Sequence, residues 1–257
     1  VRAMREQYAT LLARVAGPLP VKAEFPGSDE GRLEPGRDEP DRGLASSGTE
    51  PATPVEEGAG GEPGMDPAGG RPGEISVVTF PNGDRYEGEF RDGLMSGWGT
   101  YFYRGGDKYE GEFRQDMKSG KGTLTYRNGD KFLGEFRDDM KNGRGSHQFR
   151  NGDKYVGEFK NDMISGKGTM LYHNGNKFAG DFRNGQKHGN GVFRFANGDV
   201  YEGEFKEDIR EGRGTYAFSD GTKYVGDFRN GQRHGKGRYI YAGGEEYVGE
   251  FRNGKKD

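Results

Sequence analysis

Residues 154–176 read KYVGEFKNDMISGKGTMLYHNGN, and this stretch decides the fold. Its alternation has a period of two: Tyr155, Gly157 and Phe159 fall on one side, and Val156, Glu158 and Lys160 on the other. A second alternating run follows, with Met170 and Tyr172 on one side and Thr169 and Leu171 on the other. Asn174-Gly175 then turns the chain. Asn-Gly suits a tight hairpin whose two central residues both need positive φ, and that conformation is expected here. The stretch therefore predicts two antiparallel strands and a turn.

The same pattern recurs along most of the chain. Tyr86, Tyr109, Phe132, Tyr155, Phe178, Tyr201, Tyr224 and Tyr247 are spaced by 23 residues without exception. Each opens the pattern aromatic-x-Gly-Glu/Asp-Phe, whose second ring is Phe90, Phe113, Phe136, Phe159, Phe182, Phe205, Phe228 or Phe251. A Gly-x-Gly follows in each complete copy, expected to serve hairpin geometry at positive φ. A closing aromatic then appears at Tyr103, Tyr126, Phe149, Tyr172, Phe195, Phe218 and Tyr241. Phe80 stands one period before Tyr103, so the array opens with a half repeat. The predicted fold class is all-β: a single-layer antiparallel β-meander of 23-residue hairpins, with about 16 short strands. One face carries aromatic ladders, with a glycine slot between rings. The other carries an acidic ladder from Glu89 to Glu250 and a basic one from Arg91 to Arg252, read as a solvated surface.

At these residues the pattern resembles the MORN repeat (membrane occupation and recognition nexus), Y-x-G-x-W-x-x-G-x-x-H-G-x-G. FAGDFRNGQKHGNG from 178 and YVGDFRNGQRHGKG from 224 are the nearest copies. The family's common Trp is Phe in all eight copies, and His stands only at His188 and His234. The resemblance implies a non-enzymatic scaffold in a cytoskeletal, ciliary or membrane-junction setting. It also implies a sheet face used by partner helices. Similar arrays occur in some lipid kinases and methyltransferases, so a regulatory module of a larger enzyme is a further reading.

Outward from the array, three segments are expected: a helix over 1–17, an acidic disordered linker over 18–75, and the array over 76–257. Val1, Met4, Tyr8, Leu11, Leu12 and Val15 recur at helical spacing, and Gly17-Pro18 stops the run. All 11 prolines lie at or before Pro81. Residues 1–75 hold 8 basic and 14 acidic residues, a charge of -6, which leaves 31 basic and 28 acidic residues, or +3, for the rest. Such a linker buries too little apolar surface to offset chain entropy. The helix is expected to pack on the aromatic face.

The composition excludes several function classes. With no Cys there is no disulfide framework, thiolate metal site or cysteine nucleophile. A net charge of -3 argues against nucleic acid as a partner. No apolar run approaches the ~18 residues of a membrane span, so a cytoplasmic protein is expected, and the resemblance adds an association with cytoskeleton or cilium. No phosphate-binding loop appears, and His147, His173, His188 and His234 are too scattered for a metal cluster. No catalytic residue, metal or cofactor is expected.

Two binding surfaces remain as candidates. The first is an aromatic groove for a protein partner, read as a helix, or for a second copy of the chain. It comprises Tyr86, Phe90, Tyr109, Phe113, Tyr126, Phe132, Phe136, Phe149, Tyr155, Phe159, Tyr172, Phe178, Phe182, Phe195, Tyr201, Phe205, Phe218, Tyr224, Phe228 and Tyr241. The alternative is that these rings fill their own glycine slots. The second is a row of loop cations, Lys118, Lys121, Lys141, Arg144, Arg210, Arg213, Arg233 and Lys236, which would give weak binding to anionic or phosphoinositide membranes. A solvated edge that blocks aggregation is its plainer reading.

Overall fold

The computed structural model describes residues 74–257. The expected helix over 1–17, its packing on the sheet, and the linker up to residue 73 lie outside them. The array begins slightly earlier than expected, because Ile75 already pairs with Glu89 in the first strand, Ile75–Thr79.

The described residues are all β, with 17 antiparallel strands and no helix among them. Seven-residue strands begin at Arg85, Lys108, Lys131, Lys154, Lys177, Val200, Lys223 and Glu246. Nine-residue strands alternate with them, beginning at Leu94, Met117, Met140, Met163, Gln186, Ile209 and Gln232, and Lys255–Lys256 is the last strand. Two compact units emerge: 74–150 with 160–162, and 151–159 with 163–257. Within each, consecutive strands pair as an open single-layer meander.

Two kinds of turn join the strands, and their assignment corrects the sequence reading. At Asn174-Gly175 only the glycine has positive φ (90°), and its N–H donates to the Tyr172 carbonyl at 3.0 Å. Asn174 instead uses its side chain, whose Oδ1 accepts the Asn176 N–H at 3.0 Å. That geometry keeps Asn174 in the ordinary backbone region. The turn with two positive φ values lies in the other connection, at Asn184 (51°) and Gly185 (83°), and again at Asn230-Gly231 and Asn253-Gly254. Several copies carry Asp at the second position despite the strain. There the carboxylate accepts a backbone N–H from 21 residues earlier: Asp116 from Met95 (2.7 Å), Asp139 from Lys118 (2.9 Å) and Asp208 from Lys187 (2.9 Å). The opposite edge is stapled forward. Asp84, Asp107 and Asp130 accept the N–H of Arg104, Arg127 and Arg150 at 2.7, 2.8 and 2.8 Å.

A one-layer sheet has no second layer to cover its apolar face, so the core must form within the repeat. Tyr109 does this by lying flat over two glycines. A Cβ on Gly122 would stand 2.5 Å from Tyr109 Cζ, and one on Gly111 would stand 2.5 Å from the Gly122 Cα. The Tyr109 hydroxyl donates to the Glu112 carbonyl at 3.0 Å. Its ring meets Phe113 of its own repeat and Phe136 of the next, edge to face, at 5.1 and 4.9 Å. The same relay runs from Tyr155 through Phe182, Phe178, Phe205, Tyr201, Phe228 and Tyr224 to Phe251 in the second unit.

The two glycines of Gly-x-Gly answer different needs, and neither sits in a hairpin turn. The second makes room for the ring. The first, such as Gly120 (φ 61°), lies at a bulge where the register shifts between Gly111 and Phe113. Glu112 folds over it and accepts the Lys121 N–H at 3.0 Å; Glu204 does the same for Arg213 at 3.1 Å. The acidic ladder thus caps a bulge in its own hairpin.

Gly122→Ala should cost about 3 kcal/mol in urea unfolding, because the methyl displaces the Tyr109 ring. Gly105→Ala, where a Cβ meets nothing within 4 Å, should stay within about 0.5 kcal/mol. Equal effects would refute the slot as the source of the glycine requirement.

His147 is the weak point of the first unit. It is buried, its Nε2 has no hydrogen-bond partner, and Asp130 Oδ2 stands 3.9 Å away. Desolvation, with Lys141 nearby, holds its pKa down to about 4 against Asp130's opposing pull. At the equivalent position Tyr101 and Tyr216 reach Asp84 and Asp199 at 2.9 and 2.8 Å. His147→Tyr should therefore stabilise the fold by about 1 kcal/mol. Below pH 6.5 the unfolded chain takes up a proton that folded His147 refuses until near pH 4. Stability should accordingly fall by roughly 2–3 kcal/mol across that window. His147→Leu should remove this part of the acid sensitivity in urea titrations at pH 7 and pH 5; an unchanged difference would contradict the assignment.

Candidate functional site

The 20 rings expected to form a groove divide into two sets. Tyr86, Tyr109, Phe132, Tyr155, Phe178, Tyr201 and Tyr224 are 0% exposed. Phe113, Phe136, Phe159, Phe182, Phe205 and Phe228 are buried as well, and Phe90 is half-buried. These rings fill their own glycine slots, so the groove expected along them is occupied by the repeat itself. Burial accordingly raises the phenol pKa of Tyr86, Tyr155 and Tyr201, and that of Tyr224 to about 12.

The surface that remains is the row of closing aromatics. Tyr103, Tyr126 and Phe149 in the first unit are half-buried, as are Tyr172, Phe195 and Phe218 in the second, and Tyr241 is exposed. Each comes directly after the last residue of a nine-residue strand, where the turn begins. A second line of side chains two residues earlier supports them. In the second unit Phe193 lies 4.6 Å from Phe195, Tyr216 4.5 Å from Phe218, and Tyr239 5.0 Å from Tyr241. Phe195–Tyr216 at 5.6 Å and Phe218–Tyr239 at 6.3 Å link one repeat to the next. The sequence reading missed most of this supporting line, because its members vary: Tyr101, Leu124, His147, Met170, Phe193, Tyr216 and Tyr239. Their common signal was position within the 23-residue period.

The expected row of loop cations is not a row and not in loops. Lys118, Lys141, Lys187, Arg210 and Arg233 are the second residues of nine-residue strands and lie on the aromatic face. Lys118 Nζ donates to Tyr103 Oη at 3.0 Å, Lys141 to Tyr126 at 3.2 Å and Lys187 to Tyr172 at 3.3 Å. Lys187 is buried beside Asp208 at 3.1 Å, and desolvation lowers the Lys141 pKa. Lys121, Arg144, Arg213 and Lys236 stand three residues further along, exposed on the opposite face. There Lys121 faces Glu135 across the strands, Lys236 faces Glu250, and Arg213 is 3.6 Å from Asp227. The physical reason for the split is the pleat together with the bulge between the two positions.

A third set of cations was not foreseen. Arg104, Arg127 and Arg150 each come directly after a closing aromatic of the first unit and are exposed. Their counterparts in the second unit are His173, Ala196, Ser219 and Ala242. His173 Nδ1 lies 2.9 Å from Asp153 Oδ1. Among the described residues no group of three His, Cys, Asp or Glu side chains could hold a metal ion, and no helix is long and apolar enough to cross a membrane.

Comparison with known proteins agrees with this geometry at the level of family. No protein of curated function matches the sequence. Among solved structures, the chain is similar to the Drosophila melanogaster SAS-4 (dCPAP) TCP domain in complex with a proline-rich motif of Ana2 (dSTIL). That likeness has 14% identity and a TM-score of 0.39, over 71% of this chain and 96% of that one. The CPAP G-box domain gives 13% identity and a TM-score of 0.37 over 70% and 100%. The Danio rerio CPAP TCP10 domain with a STIL peptide gives 16% and 0.24 over 73% and 93%. Likenesses this distant carry no argument about partners. The MORN repeat profile matches residues 86–108, 109–131, 132–154, 155–177, 178–200, 201–223, 224–246 and 247–257. One flat ring over two close-packed glycines recurs in each of the seven complete matches, and the chain belongs to the MORN repeat family.

Proposed function

We propose that this chain is a non-enzymatic scaffold that holds a protein partner along the closing aromatics of its repeats. The observation that carries the reading is one half-exposed ring per repeat on a self-filled sheet, seen at Tyr172, Phe195 and Phe218. Exposed aromatic area at fixed spacing, on a rigid backbone, suits a partner that spans several repeats. A helix or a second copy of the chain would lie across the row. A catalytic role finds no support, since the repeated carboxylates cap backbone N–H groups. The cytoskeletal, ciliary and membrane-junction settings of the family frame where such a scaffold would act.

In a crosslinking pull-down with the full chain, Tyr172→Ser with Phe195→Ser and Phe218→Ser should lower partner capture at least tenfold, with far-UV circular dichroism unchanged. Unchanged capture by this folded variant would remove the row from the proposal.

Membrane tethering is the weaker reading because the basic residues are divided between two faces. Co-sedimentation with anionic vesicles should be weak, and it should vanish at high salt as surface charge is screened. Tight, salt-resistant binding would reverse this ranking.

A further inference from the structure

We infer that Phe80, Tyr103, Tyr126 and Phe149, with the arginines beside them, form a rail for an acidic polyproline-II segment. Its occupant is this chain's own residues 50–57, EPATPVEE. The inference rests on the scaffold reading, and it says what lies on part of that row before a partner does.

Spacing comes first. Two strands of ~4.8 Å set one ring about every 9.6 Å along the meander. A polyproline-II segment turns once in three residues at ~3.1 Å each, or about 9.3 Å per turn. Pro51 and Pro54 are three residues apart and would meet successive rings. The inner rings are already buried, so a narrow extended segment would meet the closing rings alone, while a helix of ~10 Å diameter would have to lie across the row.

Charge selects which unit serves. Arg104, Arg127 and Arg150 are exposed beside the rings, with their stems over Gly83, Gly106 and Gly129 of the preceding turns. Asp84, Asp107 and Asp130 face the same turns, but each has one oxygen committed to an arginine's backbone N–H. Glu50, Glu56 and Glu57 flank the two prolines and complement the guanidinium groups. The second unit has Ala196, Ser219 and Ala242 at three of these positions, and His173 at the fourth lies 2.9 Å from Asp153.

Reach is sufficient. Residues 58–74 separate the segment from Ile75, and a chain of about 17 residues reaches at most roughly 56 Å. The strand from Ile75 towards Phe80 covers about 17 Å. A short tether gives millimolar effective concentration, so even a weak contact would be populated.

The test uses a fluorescein-labelled peptide of residues 48–59 and anisotropy. It is titrated into the full wild-type chain and into a full chain carrying Pro51→Ala, Pro54→Ala, Glu56→Lys and Glu57→Lys. The peptide should bind the altered chain at least fivefold more tightly than wild type, because the resident competitor is gone. Adding Arg104→Glu and Arg127→Glu, both exposed and away from the core, should abolish that binding with circular dichroism unchanged. Equal affinity for the two chains would overturn occupancy by the resident segment. No binding to the altered chain at millimolar peptide would overturn the segment as a ligand. A peptide of residues 1–17 that displaces it at lower concentration would overturn the choice of occupant. The scaffold reading stands or falls separately, on capture by the Tyr172, Phe195 and Phe218 variant, which leaves this rail intact.

Discussion

The contact on which everything else depends is an aromatic ring lying flat on two glycines. In a single-layer sheet nothing approaches from above, so apolar area can be removed from water only against the sheet itself. Tyr109 on Gly111 and Gly122 does so with no side chain beneath it. The ring's two edges then meet Phe113 and Phe136, which makes the core continuous from one repeat to the next. Edge-to-face pairs of this kind contribute about 0.5–1.5 kcal/mol each beyond their area. Their repetition gives each unit nearest-neighbour cohesion in place of a central core.

That arrangement forces the polar architecture. Closing two strands over a flat ring requires a bulge, and a bulge leaves backbone N–H groups without ladder partners. Glu112 and Glu204 cover those at Lys121 and Arg213. At one edge Asp84, Asp107 and Asp130 reach forward to the next turn; at the other Asp116 and Asp139 reach back. The positive φ of those last two is a local strain that the carboxylate bond to a neighbouring repeat offsets. Many of the acidic residues are therefore structural, which is why charge content alone misleads about surface chemistry here.

The surface left for recognition is narrow. Apart from the exposed Tyr241, the closing rings are half-buried and supported from behind, while the lysines over Tyr103, Tyr126 and Tyr172 are drawn into the aromatic face. The two units differ most at the residue directly after each closing ring. Arginine in the first unit and small or neutral residues in the second give one repeated frame two surface chemistries.

The sequence by itself determined the period, the strand pairs, the half repeat at Phe80 and the family. The strand pairs come from the alternation seen at Tyr155, Gly157 and Phe159, and the rest from its recurrence every 23 residues between Tyr86 and Tyr247. It also determined that glycine leaves a slot on the aromatic face, but not what fills it. Whether the slot beside Tyr109 receives a partner or its own ring depends on how closely two strands approach, and the neighbouring bulge is part of that geometry. The same holds for the cations. Lys118 and Lys121 look like one basic loop in sequence, yet the bulged strand sends the first onto the rings and leaves the second facing Glu135. Only the tertiary structure decided these points, because facing direction beyond a bulge depends on strand pairing, and the partners of the turn carboxylates lie 20 or 21 positions away.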